Sequence, residues 1–230
     1  MNHRLGVCAG GLPQSAPRPT GPEPLAPHGA GERCPRDRYG LRVPDERRAT
    51  APEADALLLR PWLPDDMPDV IKAFRDPSMR AMLRTWVTDE AEAERWLRRQ
   101  REGRESGTRF AFAVVDRASA GELVGNVAFS RPALDAASGE VGYWTAPWAR
   151  GRGVASQALG ALTDWVFEAF AENGLVRLDL LHQVGNDASC RVAEKCGYDL
   201  AEVLRALPPW PREGHRHVRF RPGSPGRRAC

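Results

Sequence analysis

The stretch of this chain best suited to chemistry is Arg150-Gly151-Arg152-Gly153-Val154-Ala155, a glycine-rich turn that follows Pro147-Trp148-Ala149 and feeds a long apolar-periodic segment. A turn of this kind ahead of a helix leaves several backbone N–H groups without intrahelical partners and adds the positive end of the helix dipole, which together can hold a diphosphate. Gly151 and Gly153 let the backbone approach a ligand or take a positive φ, and Ala155 keeps the first helical turn narrow. A nucleoside triphosphate site would need Gly-Lys-Ser or Gly-Lys-Thr at the end of the loop, and the stretch has no lysine. A dinucleotide fingerprint would need a third small glycine-like residue where Ser156 stands and an acidic strand end about twenty residues on, and neither is present. Taken alone, the turn fits both an anion cradle and a tight bend with no ligand.

Other reactive side chains carry less. His215-x-His217 could offer an alternate-residue metal pair, but strand residues two apart share a face in any case. No neighbouring Cys, Asp or third His in the sequence completes a set, so no metal is expected. The cysteines Cys8, Cys34, Cys190, Cys196 and Cys230 are odd in number and form no Cys-x-x-Cys pair, so they read as reduced thiols. Cys190 and Cys196, six apart on one expected helix, point different ways and are assigned as core filler and surface thiol. Trp86, Trp96 and Trp210 are candidates either for an acceptor pocket or for ordinary packing.

The elements that must position these residues follow from hydrophobic periodicity. Leu57 to Trp62 is a short apolar run stopped by proline, a first strand. Pro64-Asp65-Asp66-Met67 opens a helix with buried Val70, Ile71 and Phe74, and Thr88 to Gln100 makes a second with Trp96 and Leu97 inward. Phe110 to Asp116 and Glu122 to Phe129 are strands joined by a loop of hairpin length, and Glu140 to Thr145 is another in which Gly142 suggests a bulge or a close approach. From Val154 to Phe170, Ala155, Leu159, Leu162, Val166 and Phe170 recur on one helical face. Val176 to Leu180 alternates as a strand, and Asn186 to Cys196 is a short helix capped by Asn186 and closed by Gly197. Tyr198 to Leu207 and His215 to Phe220 then add an antiparallel pair.

The ends differ in composition. Residues 1–54 are rich in Pro, Gly and Arg with no apolar period and are expected to be a disordered leader, with 222–230 a flexible tail and 55–221 one domain. The first ten residues lack a secretory apolar stretch, and nowhere do eighteen apolar residues run together. A soluble, cytoplasmic protein is expected, as a monomer or homodimer. Acidic and basic residues nearly cancel, to a net charge of +3, so no surface for nucleic acid or membrane is implied.

Arg150-x-x-Gly153-x-Ala155 resembles the signature of the GNAT superfamily of acetyl-coenzyme A-dependent N-acetyltransferases. The flanking Glu140-Val141-Gly142-Tyr143-Trp144 with Pro147, and Asn186-Asp187-Ala188-Ser189 with Ala193-Glu194-Lys195-Cys196-Gly197-Tyr198, are similar to the ribosomal-protein alanine N-acetyltransferase (RimJ/RimL-like) branch. Leu59-Arg60-Pro61-Trp62 resembles that branch's first strand, so the likeness runs over about residues 55 to 220. It implies an α/β fold: a single GNAT-type domain with a central, mixed, mostly antiparallel twisted sheet splayed between two central parallel strands and flanked by helices on both faces.

The resemblance also implies roles. Backbone amides of Arg150, Gly151, Arg152, Gly153, Val154 and Ala155 would bind the pyrophosphate of acetyl-coenzyme A. The strand ending at Trp144 and Thr145 would splay from Leu178-Asp179-Leu180 and admit the pantetheine arm. Asn186 would bond that arm, and Ser189 would sit near the thioester sulfur, although both residue types serve equally as helix caps. Direct transfer needs a neutral amine, so a base is required. Glu140, acting through water, is the candidate base, and Ser189 is the candidate acid for the departing thiolate. Where the branch often carries a Glu shortly after Leu204-Arg205, this chain has Leu207-Pro208-Pro209, which leaves the base the least determined role. The expected acceptor is a protein N-terminal amine. The alternatives are a small amine such as an aminoglycoside or polyamine, or a non-catalytic acyl-coenzyme A sensor.

Overall fold

Two neighbouring runs, Arg109–Asp116 (β2) and Leu123–Ser130 (β3), are apolar almost throughout and buried along nearly their whole length, as strands covered on both faces must be. Around them the chain forms a seven-stranded sheet in the order β1-β2-β3-β4-β5-β7-β6, where β1 is Leu57–Pro61, β4 Ser138–Thr145, β5 Arg177–Gln183, β6 Asp199–Leu204 and β7 Gly214–Phe220. The structure is a computed structural model and describes residues 51–224 apart from 53, 84, 120, 134 and 207–211. The expected leader therefore lies outside the described residues up to position 50, and Ala51 and Ala54 pack against the core. Trp210 and the Leu207-Pro208-Pro209 segment are likewise outside them, as are residues 225–230 of the expected tail.

Every pairing is antiparallel except β4 with β5, which run parallel from Ser138 opposite Arg177 to Val141 opposite Leu180. That parallel pair needs a crossover, and the long helix α4 (Val154–Ala169) supplies it, burying Leu159, Leu162 and Val166 as its periodicity predicts. The other helices are α1 (Met67–Phe74), α2 (Pro77–Met82), α3 (Glu90–Glu105) and α5 (Asp187–Lys195). Successive residues of β4 show that helices lie on both faces. Trp144 packs tilted against Trp62 and edge-on against Phe74 on the α1 side, whereas Tyr143 reaches Ser189 of α5 on the other. Pro61 is tolerated because β1 is an edge strand. Among the described residues no helix is long and apolar enough to cross a membrane.

Two local expectations change. Gly142 does not form a bulge: it pairs in register with Ala128, and the bulge of this half-sheet falls between Val114 and Val115 of β2. Gly142 is instead the first β4 residue past the last β4–β5 pair, and a Cβ there would meet nothing within 4 Å. Helix α2 is an addition to the elements that periodicity predicts. Its start is written in Asp76-Pro77, where the Asp76 carboxylate accepts from the Ser78 and Met79 N–H groups and proline occupies the first turn.

Candidate active site

The parallel ladder stops at Val141–Leu180, yet β4 continues to Thr145 and β5 to Gln183, each still bonded to its outer neighbour, β3 or β7. The two strands therefore splay, and the inward edge of Gly142–Thr145 has no strand beside it. A cleft of about 510 Å³ occupies this region and runs to the head of α4. It brings together Trp144, Thr145, Arg150, Gly151, Gly153, Val154, Ala155, Asn186 and Ser189 of the sequence-derived set. Arg152 does not line it, and neither does Glu140.

The turn at the head of α4 has the geometry of an anion cradle. Gly151 and Gly153 both take φ of +77°, and Gly153 is the N-cap of α4 with no side-chain hydrogen bond to close the first turn. The first N–H groups of the helix thus have no side-chain cap competing for them. Both arginines of the turn are tied back to the body of the protein. Arg150 reaches Asp76 at 3.3 Å, at the start of α2, and Arg152 pairs with Asp116 at the end of β2. Hydrogen bonds, from the Ser78 side chain above all for Asp76 and from the Ala118 N–H for Asp116, hold both carboxyls below the usual carboxylate range, so both stay ionised against their arginines. The arginine side chains brace the turn, and Arg150, Gly151 and Gly153 line the cleft.

At the far end of the cleft the two candidate groups of α5 have distinct partners. Asn186 is the N-cap, and its side-chain oxygen accepts from the Ser189 N–H at 3.2 Å. Its amide nitrogen, on the cleft side, reaches Met82 Sδ at 3.8 Å. The Ser189 hydroxyl takes no part in capping: it is 9 % exposed and accepts from the Tyr143 hydroxyl at 3.0 Å. Burial pushes the Tyr143 phenol above its usual pKa, against the smaller opposing effect of that hydrogen bond, so it holds its proton at neutral pH.

Glu140 lies on the opposite face of β4 from Tyr143. With Gly142 and Trp144 and their cross-strand partners Ser130, Ala128 and Asn126, it lines a second, smaller cleft of about 160 Å³. Arg109, also in that lining, is held by the Gln100 side-chain oxygen at 2.9 Å. Burial lowers its pKa, and the Glu140 carboxylate works against that shift. The two clefts share Tyr143, Trp144 and Leu83, so they meet across β4 where it leaves β5.

Sequence reasoning misses several members of the site. Tyr143 is visible as a motif residue, but its role needs the register that sets it opposite α5. Ser78, Met79 and Met82 enter the main cleft from α2, which periodicity does not reveal, and Arg191 and Lys195 bring positive charge to it from α5. Trp96 is buried against Trp62, with ring centroids 4.8 Å apart, and lines the smaller cleft, whereas Trp86 is 56 % exposed and lines neither.

The expectation that His215 and His217 have no third ligand nearby is corrected by the fold. His182 lies directly opposite His215 on β5, and Cys190 of α5 covers them, so one ligand atom from each of His182, Cys190, His215 and His217 lies within 4.8 Å of the others. A linear sequence hides this because 33 residues separate His182 from His215 and only strand pairing joins them. Cys196 is core filler as expected, buried with its thiol on the Ser156 carbonyl.

The acetyltransferase (GNAT) domain family matches residues 56–199. Among solved structures, an acetyltransferase of the GNAT family from Bacillus anthracis is similar, with 21% identity over 73% of this chain and 96% of that one and a TM-score of 0.63. RimL, a ribosomal L7/L12 α-N-protein acetyltransferase in complex with coenzyme A, matches with 18% identity over 74% of this chain and 98% of its own, TM-score 0.65. The ribosomal-protein-S5-alanine acetyltransferase from Vibrio fischeri matches with 18% identity over 74% and 96%, TM-score 0.62. No curated protein sequence matches the chain.

Proposed function

The chain belongs to the GNAT acetyltransferases, and from that membership we propose that it moves the acetyl group of acetyl-coenzyme A onto a protein N-terminal α-amino group by direct attack on the thioester. It is an acetyl-coenzyme A-dependent enzyme. The observation that carries the finer reading is the pair of clefts meeting at Tyr143 and Trp144, one ending at uncapped main-chain donors and the other small and nearly neutral.

In this reading the turn from Arg150 to Ala155 binds the diphosphate through its backbone, Arg191 and Lys195 add favourable charge, and the open edge of β4 offers main-chain groups to the pantetheine arm. The amine enters from the other face. Glu140 draws its proton through a water, and an N–H of the open β4 edge meets the oxyanion that forms at the thioester carbon. Ser189 gives its hydroxyl proton to the departing thiolate while the Tyr143 O–H, which points at it, passes a proton to the serine oxygen, and Tyr143 recovers its proton from solvent in the open cleft.

Two features favour a protein N-terminus over a polycationic small amine. The smaller cleft, at about 160 Å³, falls below the ~300–1,000 Å³ typical of drug-sized ligands. Among the described residues Glu140 is its one acidic lining residue and Arg109 also lines it, so they offer a polycation no acidic field there. The RimL and S5-alanine acetyltransferase neighbours act on ribosomal proteins, which supports the same direction. Coenzyme A release measured with short peptides bearing free N-termini, with the same peptides blocked, and with aminoglycosides and polyamines tests the proposal. Turnover confined to free N-termini is the expected result. Preference for the small amines would replace the acceptor, and binding of acetyl-coenzyme A without turnover on any acceptor would make the protein a sensor.

Gly142 gives a second check. Its missing side chain leaves open space beside the smaller cleft, so Gly142→Val is expected to fold, to raise the KM for the acceptor severalfold, and to leave the KM for acetyl-coenzyme A unchanged. A rise in the cofactor KM alone would assign this face of β4 to the wrong substrate.

A further inference from the structure

On α5 two adjacent residues face different ways: Ser189 turns to β4, and Cys190 turns to the histidines of β5 and β7. The register explains the cluster. His182 and His215 are direct cross-strand partners, His217 lies two residues along β7 on the same face opposite Leu180, and α5 packs over that face. We propose that His182, Cys190, His215 and His217 form a binding site for one divalent transition-metal ion, with zinc the best chemical match.

Several independent observations converge on this assignment. Cys190 Sγ lies 3.3 Å from His215 Nδ1 and 3.6 Å from His182 Nε2. Zinc–nitrogen and zinc–sulfur bonds of about 2.0–2.3 Å in a tetrahedron require ligand–ligand edges of roughly 3.3–3.7 Å, so these two edges are already in place. The remaining pairs fall within 4.8 Å and close by small side-chain movements. His182 Nδ1 lies 2.9 Å from the Gln183 carbonyl, to which it donates in the tautomer that leaves Nε2 a lone pair facing Cys190. That outward bond is the usual orienting partner of a metal-ligating histidine.

His217 is the strongest indication. It is 2 % exposed, and among the described residues neither ring nitrogen has a hydrogen bond of good geometry, only an approach to the Tyr198 backbone. A buried imidazole without partners is costly and uncommon, and a metal ion would satisfy it. Three imidazoles and a thiolate suit zinc, and also cobalt as a probe, better than hard cations such as magnesium or calcium. Binding exchanges the Cys190 thiol proton for a metal–sulfur bond. Four protein ligands leave no open position, so the ion is structural: it ties the first turn of α5 to β5 and β7 and takes no part in acetyl transfer.

The test uses the full chain, reduced and stripped with a chelator, titrated with cobalt(II) alone. One equivalent is expected to produce the visible bands of tetrahedral cobalt with a thiolate charge-transfer band, and zinc(II) is expected to bleach both. Cys190→Ser should abolish the charge-transfer band, and His215→Gln should weaken cobalt binding by on the order of tenfold or more. Absence of the tetrahedral bands in the unaltered chain, or their persistence with the charge-transfer band in Cys190→Ser, overturns the proposal, the latter by assigning the metal to another thiol. Circular dichroism and desulfo-coenzyme A binding are read on each variant. Retained cofactor binding with no cobalt signal fails the metal site alone, whereas a cobalt signal with no cofactor binding fails the transferase reading alone. If His215→Gln does not fold, the isosteric Cys190→Ser decides.

Discussion

Ser189→Ala is expected to lower kcat by about 10²–10⁴-fold, the usual contribution of a positioned proton donor, with the KM for acetyl-coenzyme A nearly unchanged. The structure gives reasons for expecting this split. The helix cap is supplied by Asn186, which bonds the Ser189 backbone N–H, so removing the serine hydroxyl leaves the cap and the end of α5 intact. What disappears is a hydroxyl that lines the main cleft, together with the acceptor of the buried Tyr143 O–H. Tyr143→Phe separates the possible roles. If Ser189 delivers the proton and Tyr143 resupplies it, the phenylalanine variant loses less than the alanine variant. A larger loss in Tyr143→Phe makes the phenol the acid, and equal losses in kcat and cofactor affinity for Ser189→Ala would reduce that residue to a packing role.

How legible the site is depends on how local its causes are. The crossover helix can be read because Leu159, Leu162 and Val166 repeat at helical spacing, and the tight turn at its head because Gly151 and Gly153 stand immediately before it. Asn186 is readable as a cap for the same reason. Pairing-dependent facts are hidden. Nothing near Tyr143 in sequence says that it meets Ser189, 46 residues later: period 2 puts it on one face with Val141 and away from Glu140, but that this face turns toward α5 follows only from the packing. Arg152 enters the expected set through its backbone amide, and the hold of Asp116, on a distant strand, over its guanidinium is a partnership that the sequence does not reveal. The histidine cluster is the extreme case. His215 and His217 look incomplete in sequence because period-2 spacing gives one strand's contribution to a site, and the rest arrives from β5 and α5.

For Gly153→Val the expected result is a rise of roughly 5–30-fold in the KM for acetyl-coenzyme A, with kcat at saturation largely preserved. The cause is conformational rather than steric. A Cβ at Gly153 would meet only Gln157 Nε2 at 3.5 Å and Ser156 Oγ at 4.0 Å, both ordinary contacts. At φ of +77°, however, a β-branched residue costs on the order of 1–2 kcal/mol, and relieving that strain rotates the very N–H groups that form the cradle. The same penalty can be placed elsewhere as a control. Gly174 takes φ of +74° just after α4, a Cβ there would meet nothing within 4 Å, and the residue lines neither cleft. Gly174→Val should therefore cost comparable stability and leave the cofactor KM unchanged. Calorimetry with desulfo-coenzyme A reads the same contrast without turnover, and matching affinities for the two variants would remove the turn from the binding site.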